Sequence, residues 1–277
     1  MTWQDTEIEA LEFELLLEAI YRRYGYDFRH YSRAALLRRV RHAMECLPVE
    51  NLSELQSKLL REPAFFTEVL TRFTVPVTQM FRDPVLYQKL REDVFPFLQT
   101  YSDIRIWHPG CATGEEIYSL AILMEEYGLL ERSIIYGTDI NPEALRRSKE
   151  GILTLENMQE ASTRYFEAGG QRSLSDYYVT GYGGAALDAR LRNHIVFSDH
   201  NLATDSAFGQ MNLIVCRNTL IYFDKDLQER CIELFRESLM PGGFLCLGMK
   251  ESLFGREGAK YFAPLAQRER IYRRRLE

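Results

Sequence analysis

Four residues that could shape a ligand site lie close together in the stretch Ile104 to Tyr118 (IRIWHPGCATGEEIY): Gly110, Gly114, Glu115 and Glu116. Glycines lack a Cβ, so backbone at Gly110 and Gly114 is free to approach a ligand closely and to take φ > 0. The two acids open a helix whose dipole favours negative charge there, and they would repel a pyrophosphate. Phosphate fingerprints are missing too: there is no G-x-G-x-x-G, and no Lys-Ser/Thr follows Gly114. A ligand carrying hydroxyls and a positive charge fits better, which makes S-adenosylmethionine (SAM) the candidate. The plainer alternative is a well-capped helix in an α/β core. Asp139 follows in GTDINP (Gly137 to Pro142). A carboxylate at the tip of a second strand, about 20–30 residues beyond a glycine turn, hydrogen-bonds both ribose hydroxyls. Capping of the helix that starts near Pro142 is the competing use, for which Asn141 is better suited.

These residues need a strand–turn–helix frame, and the pattern supplies one. Ile104–Trp107 reads as a strand, and Ile117, Leu120, Ala121 and Met124 as the apolar stripe of an amphipathic helix. Further strands are expected at Ile134–Tyr136, Ile195–Phe197, Leu213–Cys216 and Phe244–Leu247, with helices between most of them. That rhythm implies an α/β fold with a mostly parallel sheet covered by helices. Leu86–Leu98 reads as a helix leading into it. From about residue 163 to 194, glycines and the β-prone Tyr177–Val179 suggest a small antiparallel insertion. Tyr261–Arg275 is expected to add an antiparallel edge pair. Polar residues then fall at the carboxyl ends of sheet strands, where open α/β sheets bind ligands: Asp199 to Leu202, and Arg217 and Asn218. Tyr222 lies close to that rim, although a tyrosine in an apolar run is more often core.

Before Leu70 the chain reads as helical throughout. Leu11, Leu15, Leu16 and Ile20 are expected on one buried stripe, and Leu52, Leu55, Leu59 and Leu60 on another. Ser32 is the expected N-cap of a helix running to about Cys46. On it Arg38, Arg41 and His42 face away from the apolar residues, with Arg39 flanking. Arg22, Arg23, Arg29 and Arg33 add to one sign of charge, with Asp27 as the only opposing acid. A solvated face is the ordinary reading; a docking surface for an acidic partner is the sharper one. Pro76 argues against a helix interior in Thr74–Arg82 (TVPVTQMFR); a loop presenting Thr78 and Arg82 over the cleft is one reading, and an exposed arginine at a domain joint the simpler one.

Bulk properties narrow the choice. With 277 residues, 46% hydrophobic and 27% charged, the chain has ample core for one or two domains. A net charge of −6 disfavours nucleic acid and anionic membrane. No signal peptide or membrane-spanning apolar run is visible. The five cysteines form no C-x-x-C, so neither zinc nor a disulfide framework is expected, and they read as small reduced core residues. A cytoplasmic location and no metal are expected.

Taken together, TQMFR, WHPGCATGEEIYSLA, TDI, FSDHNL, CRNTLIYFD and LMPGGFL resemble the CheR-type chemoreceptor glutamate methyltransferases over nearly the whole chain. The resemblance implies a Rossmann-like class I SAM-dependent methyltransferase sheet in residues 84–277, with an inserted antiparallel β-subdomain near 163–194. It also implies an all-helical receptor-docking domain and linker in residues 1–83. By the same resemblance Thr78, Arg82, Gly110, Glu116, Asp139, Asn201, Leu202, Arg217 and Asn218 would hold SAM, with S-adenosylhomocysteine (SAH) as product. Arg82 and Tyr222 would border the transferring methyl, and Arg38, Arg39, Arg41 and His42 would dock the acceptor. The implied partner is the cytoplasmic helical part of a chemoreceptor, and the implied enzyme a monomer that makes glutamyl methyl esters. A SAM-sensing regulator, or a methyltransferase for a small molecule or RNA, is the alternative. Two departures stand out: Pro76 where the family often has asparagine, and Gly248–Ser252 (GMKES) in place of the more usual GHSE.

Overall fold

The computed structural model describes residues 3–74, 76, 78–181, 183–253 and 256–276. Its contacts divide into two compact units. One comprises Met1–Val75 together with Asn201–Asp205 and Tyr222–Cys231; the other holds the remainder.

The first unit is built on α1 (Trp3–Tyr24), α2 (Arg33–Glu45), α3 (Leu52–Arg61) and α4 (Pro63–Phe73). Asn51 caps α3 by accepting from the Glu54 amide at 2.9 Å. Ser32 does sit at the start of α2, but its side chain makes no capping bond. The buried stripe of α1 is Phe13, Leu16, Leu17 and Ile20, an i, i+3, i+4, i+7 set. Leu11 and Leu15, expected inside, are 58% and 49% exposed, and Leu60 of α3 also faces solvent. Helix α1 is apolar on more than one side, so periodicity alone could not choose the face that α3 covers. Cys46 is exposed at the end of α2, contrary to the expectation for all five cysteines; the other four are buried, and all are free thiols.

In the second unit, α5 (Pro84–Lys89), a π-helical turn (Leu90–Val94) and α6 (Phe95–Leu98) replace the expected single helix. Pro96 cannot donate to the carbonyl four residues back, which accounts for the altered bonding before it. There follow β1 (Ile104–Pro109), α7 (Glu115–Glu126), β2 (Ser133–Asp139), α8 (Pro142–Glu150), β3 (Ile152–Thr154), α9 (Leu155–Glu167), β4 (Tyr178–Gly181), β5 (Gly184–Leu187), α10 (Ala189–Arg192), β6 (Ile195–Asp199) and β7 (Met211–Cys216). The unit closes with α11 (Lys225–Ser238, whose start belongs to the first unit), β8 (Leu239–Leu247), α12 (Arg256–Tyr261), β9 (Phe262–Ala266) and β10 (Ile271–Arg274).

Seven strands form the main sheet in the order β6-β2-β1-β7-β8-β10-β9. The first five run parallel, and β10 and β9 add the antiparallel edge pair. From β1 the chain winds outward through β2 to β6, then returns to β7 on the other flank. The strand order therefore reverses between β1 and β7, and the crevice beyond their carboxyl ends is where such sheets bind ligands. Helix α7 is buried on every side from Glu115 to Met124, not amphipathic as its stripe suggested. The insertion covers its outer flank: α10 and α9 join a three-stranded sheet, β3-β5-β4. That sheet recruits β3, so the insertion starts near Ile152, before the expected residue 163, and α9 occupies the interval between.

Among the described residues no helix is long and apolar enough to cross a membrane. The revised α1 face makes a direct test possible. Leu16→Ala should cost about 2–5 kcal/mol of stability in urea unfolding, and Leu11→Ala no more than about 0.5 kcal/mol. Equal losses would restore the stripe expected from periodicity.

Candidate functional site

The turn after β1 is shaped by backbone that side chains would obstruct. Gly110 has φ +67°, and a Cβ there would lie 2.3 Å from Thr219 Oγ1, so the turn fits against the segment after β7 only as glycine. Ala112 is left-handed at φ 50° and Gly114 at φ 89°. Asp139, at the tip of β2, holds this turn: its Oδ2 accepts from the Ala112 amide at 2.8 Å and its Oδ1 from the Asn141 amide at 2.9 Å. Capping of α8 belongs to Asn141, whose Oδ1 accepts from the Glu143 and Ala144 amides. The Ile140 amide bears on the same carboxylate, whose remaining acceptor capacity still leaves room for a further donor such as a hydroxyl. Burial raises its carboxyl above the ordinary value against the pull of these amides.

Beyond β7, Arg217 carries a buried guanidinium into a network of partners. Its Nη1 donates to Glu116 Oε2 at 3.0 Å and to the Arg82 carbonyl at 3.1 Å, and its Nη2 pairs with Asp83. Burial works to raise Glu116, but Arg217 together with His108 and Arg82 holds that carboxyl below the usual carboxylate range. Burial likewise works to lower Arg217, and Glu116 with the other negative groups around it, Asp83 among them, together reverse that. His108, at the end of β1, has its Nε2 3.5 Å from Glu116 Oε2. The two acids that open α7 diverge: Glu115 bonds Thr113 Oγ1 at 2.6 Å and lines a separate cavity of about 280 Å³ with Arg147 and Thr154. Phe81 and Asp83 flank Arg82 with φ 53° and 55°, and the Phe81 amide donates to Ser119 Oγ at 2.8 Å.

One residue escaped the reading of the sequence. Glu251, within the GMKES departure, is 4% exposed and accepts four backbone amides. Oε2 takes Gly248 at 2.6 Å and Asn218 at 3.0 Å; Oε1 takes Thr219 at 2.8 Å and Leu220 at 2.7 Å. It thereby holds Asn218 at φ 57°. A single Glu in a polar loop carries no spacing signal, so only the tertiary contact identifies it.

The structure thus brings Gly110, Glu116, Asp139, Arg217, Asn218 and the backbone of Arg82 to one rim within one unit. Thr78 is half-buried in the segment before it. Asn201, Leu202 and Tyr222 belong to the unit of α1–α4. There Asn201 Oδ1 closes a turn on the Ala203 amide at 3.0 Å, Leu202 is buried, and Tyr222 lies under Arg39.

The single-signed basic face is corrected. Helix α1 brings acids to it: Arg41 pairs with Glu9 at 2.7 Å, Arg33 with Glu14 at 2.6 Å, and Arg29 with Glu18 at 3.0 Å. His42 meets Glu45 at 2.9 Å. The acids of α1 are distant in sequence, so counting charges near α2 missed them; Glu45, three residues after His42 on α2 itself, was within reach of that count. Among the described residues Arg38 forms no ion pair and remains exposed.

Comparison with known proteins identifies the family. The family model described as CheR methyltransferase, SAM binding domain, matches residues 76–269, and the one described as CheR methyltransferase, all-alpha domain, matches residues 11–74. The chain belongs to the CheR methyltransferase family. It is 48% identical to Cher3 of Pseudomonas putida, itself described only as a candidate methyltransferase, over 95% of this chain and 97% of that one. It is 28% identical to a chemotaxis protein methyltransferase of Listeria monocytogenes, covering 90% and 92% of the two chains. Against the chemotaxis protein methyltransferase of Salmonella typhimurium the identity is 27%, covering 90% and 86%.

This CheR methyltransferase is therefore a SAM-dependent enzyme, and its rim suits that cofactor. Among the described residues His108 Nδ1, Arg217 Nε and Asn218 Oδ1 are buried there without hydrogen-bond partners, and His108 Nε2 has only the 3.5 Å contact to Glu116. Buried polar atoms ordinarily find partners. Arginine and a histidine N–H suit a carboxylate, an amide oxygen and Glu116 suit an ammonium, and Asp139 suits a ribose diol. That is the polar complement of a zwitterionic aminoacyl nucleoside.

Two measurements test these roles. Glu251→Gln turns an amide nitrogen toward two donor N–H groups, which should weaken SAH binding about tenfold or more by calorimetry and lower the melting temperature. Lost stability with unchanged SAH affinity would make Glu251 a remote scaffold residue. For Asp139, the raised carboxyl takes up its proton above the ordinary 3.8. Its own contribution to apo stability therefore falls as pH rises through that raised value. SAH affinity should change with the opposite sign, weakening as the pH falls into that range, because the ionised form is the better acceptor. Asp139→Asn should bind weakly with no such step.

Proposed function

We propose that this protein methylates glutamate side chains on the cytoplasmic helical region of a chemoreceptor or a related signalling receptor, working in the cytoplasm. The names of the chemotaxis relatives support the acceptor class. The observation that carries the reading is the convergence of Glu116, Asp139, Arg217 and Asn218 at the β1/β7 switch, in a chain that matches both parts of the family in order.

Bound SAM supplies a methyl group on a sulfonium, an electrophile that needs no activation by acid or base. An acceptor glutamate, with an ordinary pKa of about 4.3, is already ionised near neutral pH. Its oxygen would take the methyl carbon as the carbon–sulfur bond broke with its electron pair going to sulfur, so the residues of the rim would act by holding the two groups in line. Opposite charges cancel in this displacement, so alignment and exclusion of water supply most of the acceleration. Asp139 would grip the ribose; Thr78, Asn201 and Leu202 would complete the cofactor contacts. Arg82 would orient the incoming carboxylate from a turn whose neighbours, Phe81 and Asp83, are conformationally constrained. Too close an ion pair at Arg82 would stabilise the ground state and slow attack. Tyr222 would offer its hydroxyl and an aromatic face beside the methyl. Arg38 is an exposed cation of α2 without an ion pair among the described residues, and would meet an acidic acceptor surface; the weak surface pairs of Arg41 and His42 could open in its support.

Incubation of the full chain with tritiated SAM and cytoplasmic receptor fragments decides between outcomes. Label released as methanol by mild base, and mapped to glutamate peptides, is expected. Base-stable label would place the methyl on another acceptor atom, and SAH binding without transfer to any receptor would make the protein a sensor.

A further inference from the structure

Tyr222 is held by a short stretch of chain around the start of α2. The Ser32 amide donates to the Tyr222 carbonyl at 2.7 Å, and the Asp224 amide donates to the His30 carbonyl at 2.8 Å. Between them Tyr31 and Phe223 form an isolated antiparallel bridge, their rings 4.8 Å apart in an edge contact. His30 Nδ1 lies 2.9 Å from Asp224 Oδ2. Backbone and neighbours are thereby fixed on both sides of Tyr222.

The ring itself is covered from α2. The Arg39 guanidinium carbon lies 4.3 Å from the Tyr222 ring centroid, and Arg39 Nη1 donates to the Phe73 carbonyl at 3.1 Å. Phe73 ends α4, so this bond uses one of the carbonyls a helix leaves unpaired at its C-terminus. The arginine is thus tied at one edge to a helix end while its guanidinium carbon lies over the phenol ring. It is half-buried, whereas its neighbour Arg38 is exposed. A cation committed to an aromatic face and a helix terminus is poorly placed to greet an incoming protein.

We propose that Arg39 is a positioning residue for Tyr222, not an acceptor-docking residue. By covering one face of the ring it fixes the rotamer, leaving the opposite face and the hydroxyl for the reaction. The inference rests on the reading that Tyr222 borders the transferring methyl. It divides the basic segment of α2 between two jobs: Arg38 meets the partner, and Arg39 prepares the site. Lysine keeps the charge but lacks the flat, multi-donor group that stacks and bonds together, so Arg39→Lys should be intermediate.

The test uses the full chain labelled with fluorotyrosine, the Tyr222 resonance being assigned by its loss in Tyr222→Phe. Arg39→Met should move that resonance in the ligand-free protein, lower kcat about tenfold, and leave receptor KM and SAH affinity within about twofold. Arg39→Lys should recover part of the rate. Combined with Tyr222→Phe, Arg39→Met should cost little more than either change alone, as expected of residues acting as a unit. Arg38→Ala should instead raise receptor KM and reduce its salt dependence at unchanged kcat. The proposal is overturned if Arg39→Met raises receptor KM at constant kcat, or leaves the Tyr222 resonance where it was. Should the wild-type chain transfer no methyl to any receptor, the functional reading fails, while the fluorine shift still decides whether Arg39 governs Tyr222.

Discussion

Arg217 takes a full positive charge out of water at the end of β7, and the surrounding site is arranged to accommodate it. A buried guanidinium is tolerated only when its donors meet charged or carbonyl oxygens. Here those oxygens come from separate parts of the chain: Glu116 in the first turn of α7, Asp83 and the Arg82 carbonyl in the turn before α5. One side chain therefore fixes where α7 begins, where the turn at Met80–Asp83 lies, and how β7 leaves the sheet. Removing any of these partners leaves charge buried without compensation, so the parts of the rim are coupled through electrostatics more than through apolar packing.

Backbone strain is concentrated around the same centre. Phe81, Asp83, Ala112 and Asn218 all adopt the left-handed conformation that non-glycine residues avoid, at about 1–3 kcal/mol each. Three of them are held by a specific charged group: Ala112 by Asp139, Asn218 by Glu251, and Asp83 by Arg217. The acids of the rim thus serve the backbone and each other's partners. Glu251 is wholly occupied with amides, Asp139 accepts the Ala112 and Asn141 amides, and Glu116 accepts from Arg217. Strain of this kind persists because the surrounding bonds over-determine it, which gives a preorganised pocket.

The helical unit follows a different electrostatic logic. Its arginines look like a single basic surface along the chain, yet the acids of α1 lie alongside them and pair with Arg29, Arg33 and Arg41. Among the described residues of that set, Arg38 on α2 and Arg23 at the end of α1 are exposed without an ion pair. Arg39, half-buried, is engaged instead with the Tyr222 ring and the Phe73 carbonyl.

Much of this protein was legible in its sequence because the signals are local or periodic. The alternation of strands and helices, the glycine turn at Gly110, the carboxylate at Asp139 and the string from Cys216 to Asp224 depend on neighbours within a few residues. They sufficed for the fold class, the cofactor and the family. The tertiary structure decided matters that depend on what packs against what. It chose Leu16 over Leu11 as core, because α3 covers one of two apolar faces of α1. It buried α7 on every side, because the insertion covers the face that pattern left to solvent. It gave Glu251 four amides and Arg39 a tyrosine, contacts between residues too far apart in the chain for any spacing to encode. The physical reason is common to all of these: periodicity reports which side of an element is apolar, whereas burial, pairing of charge and backbone strain are set by the partner that arrives from elsewhere in the chain.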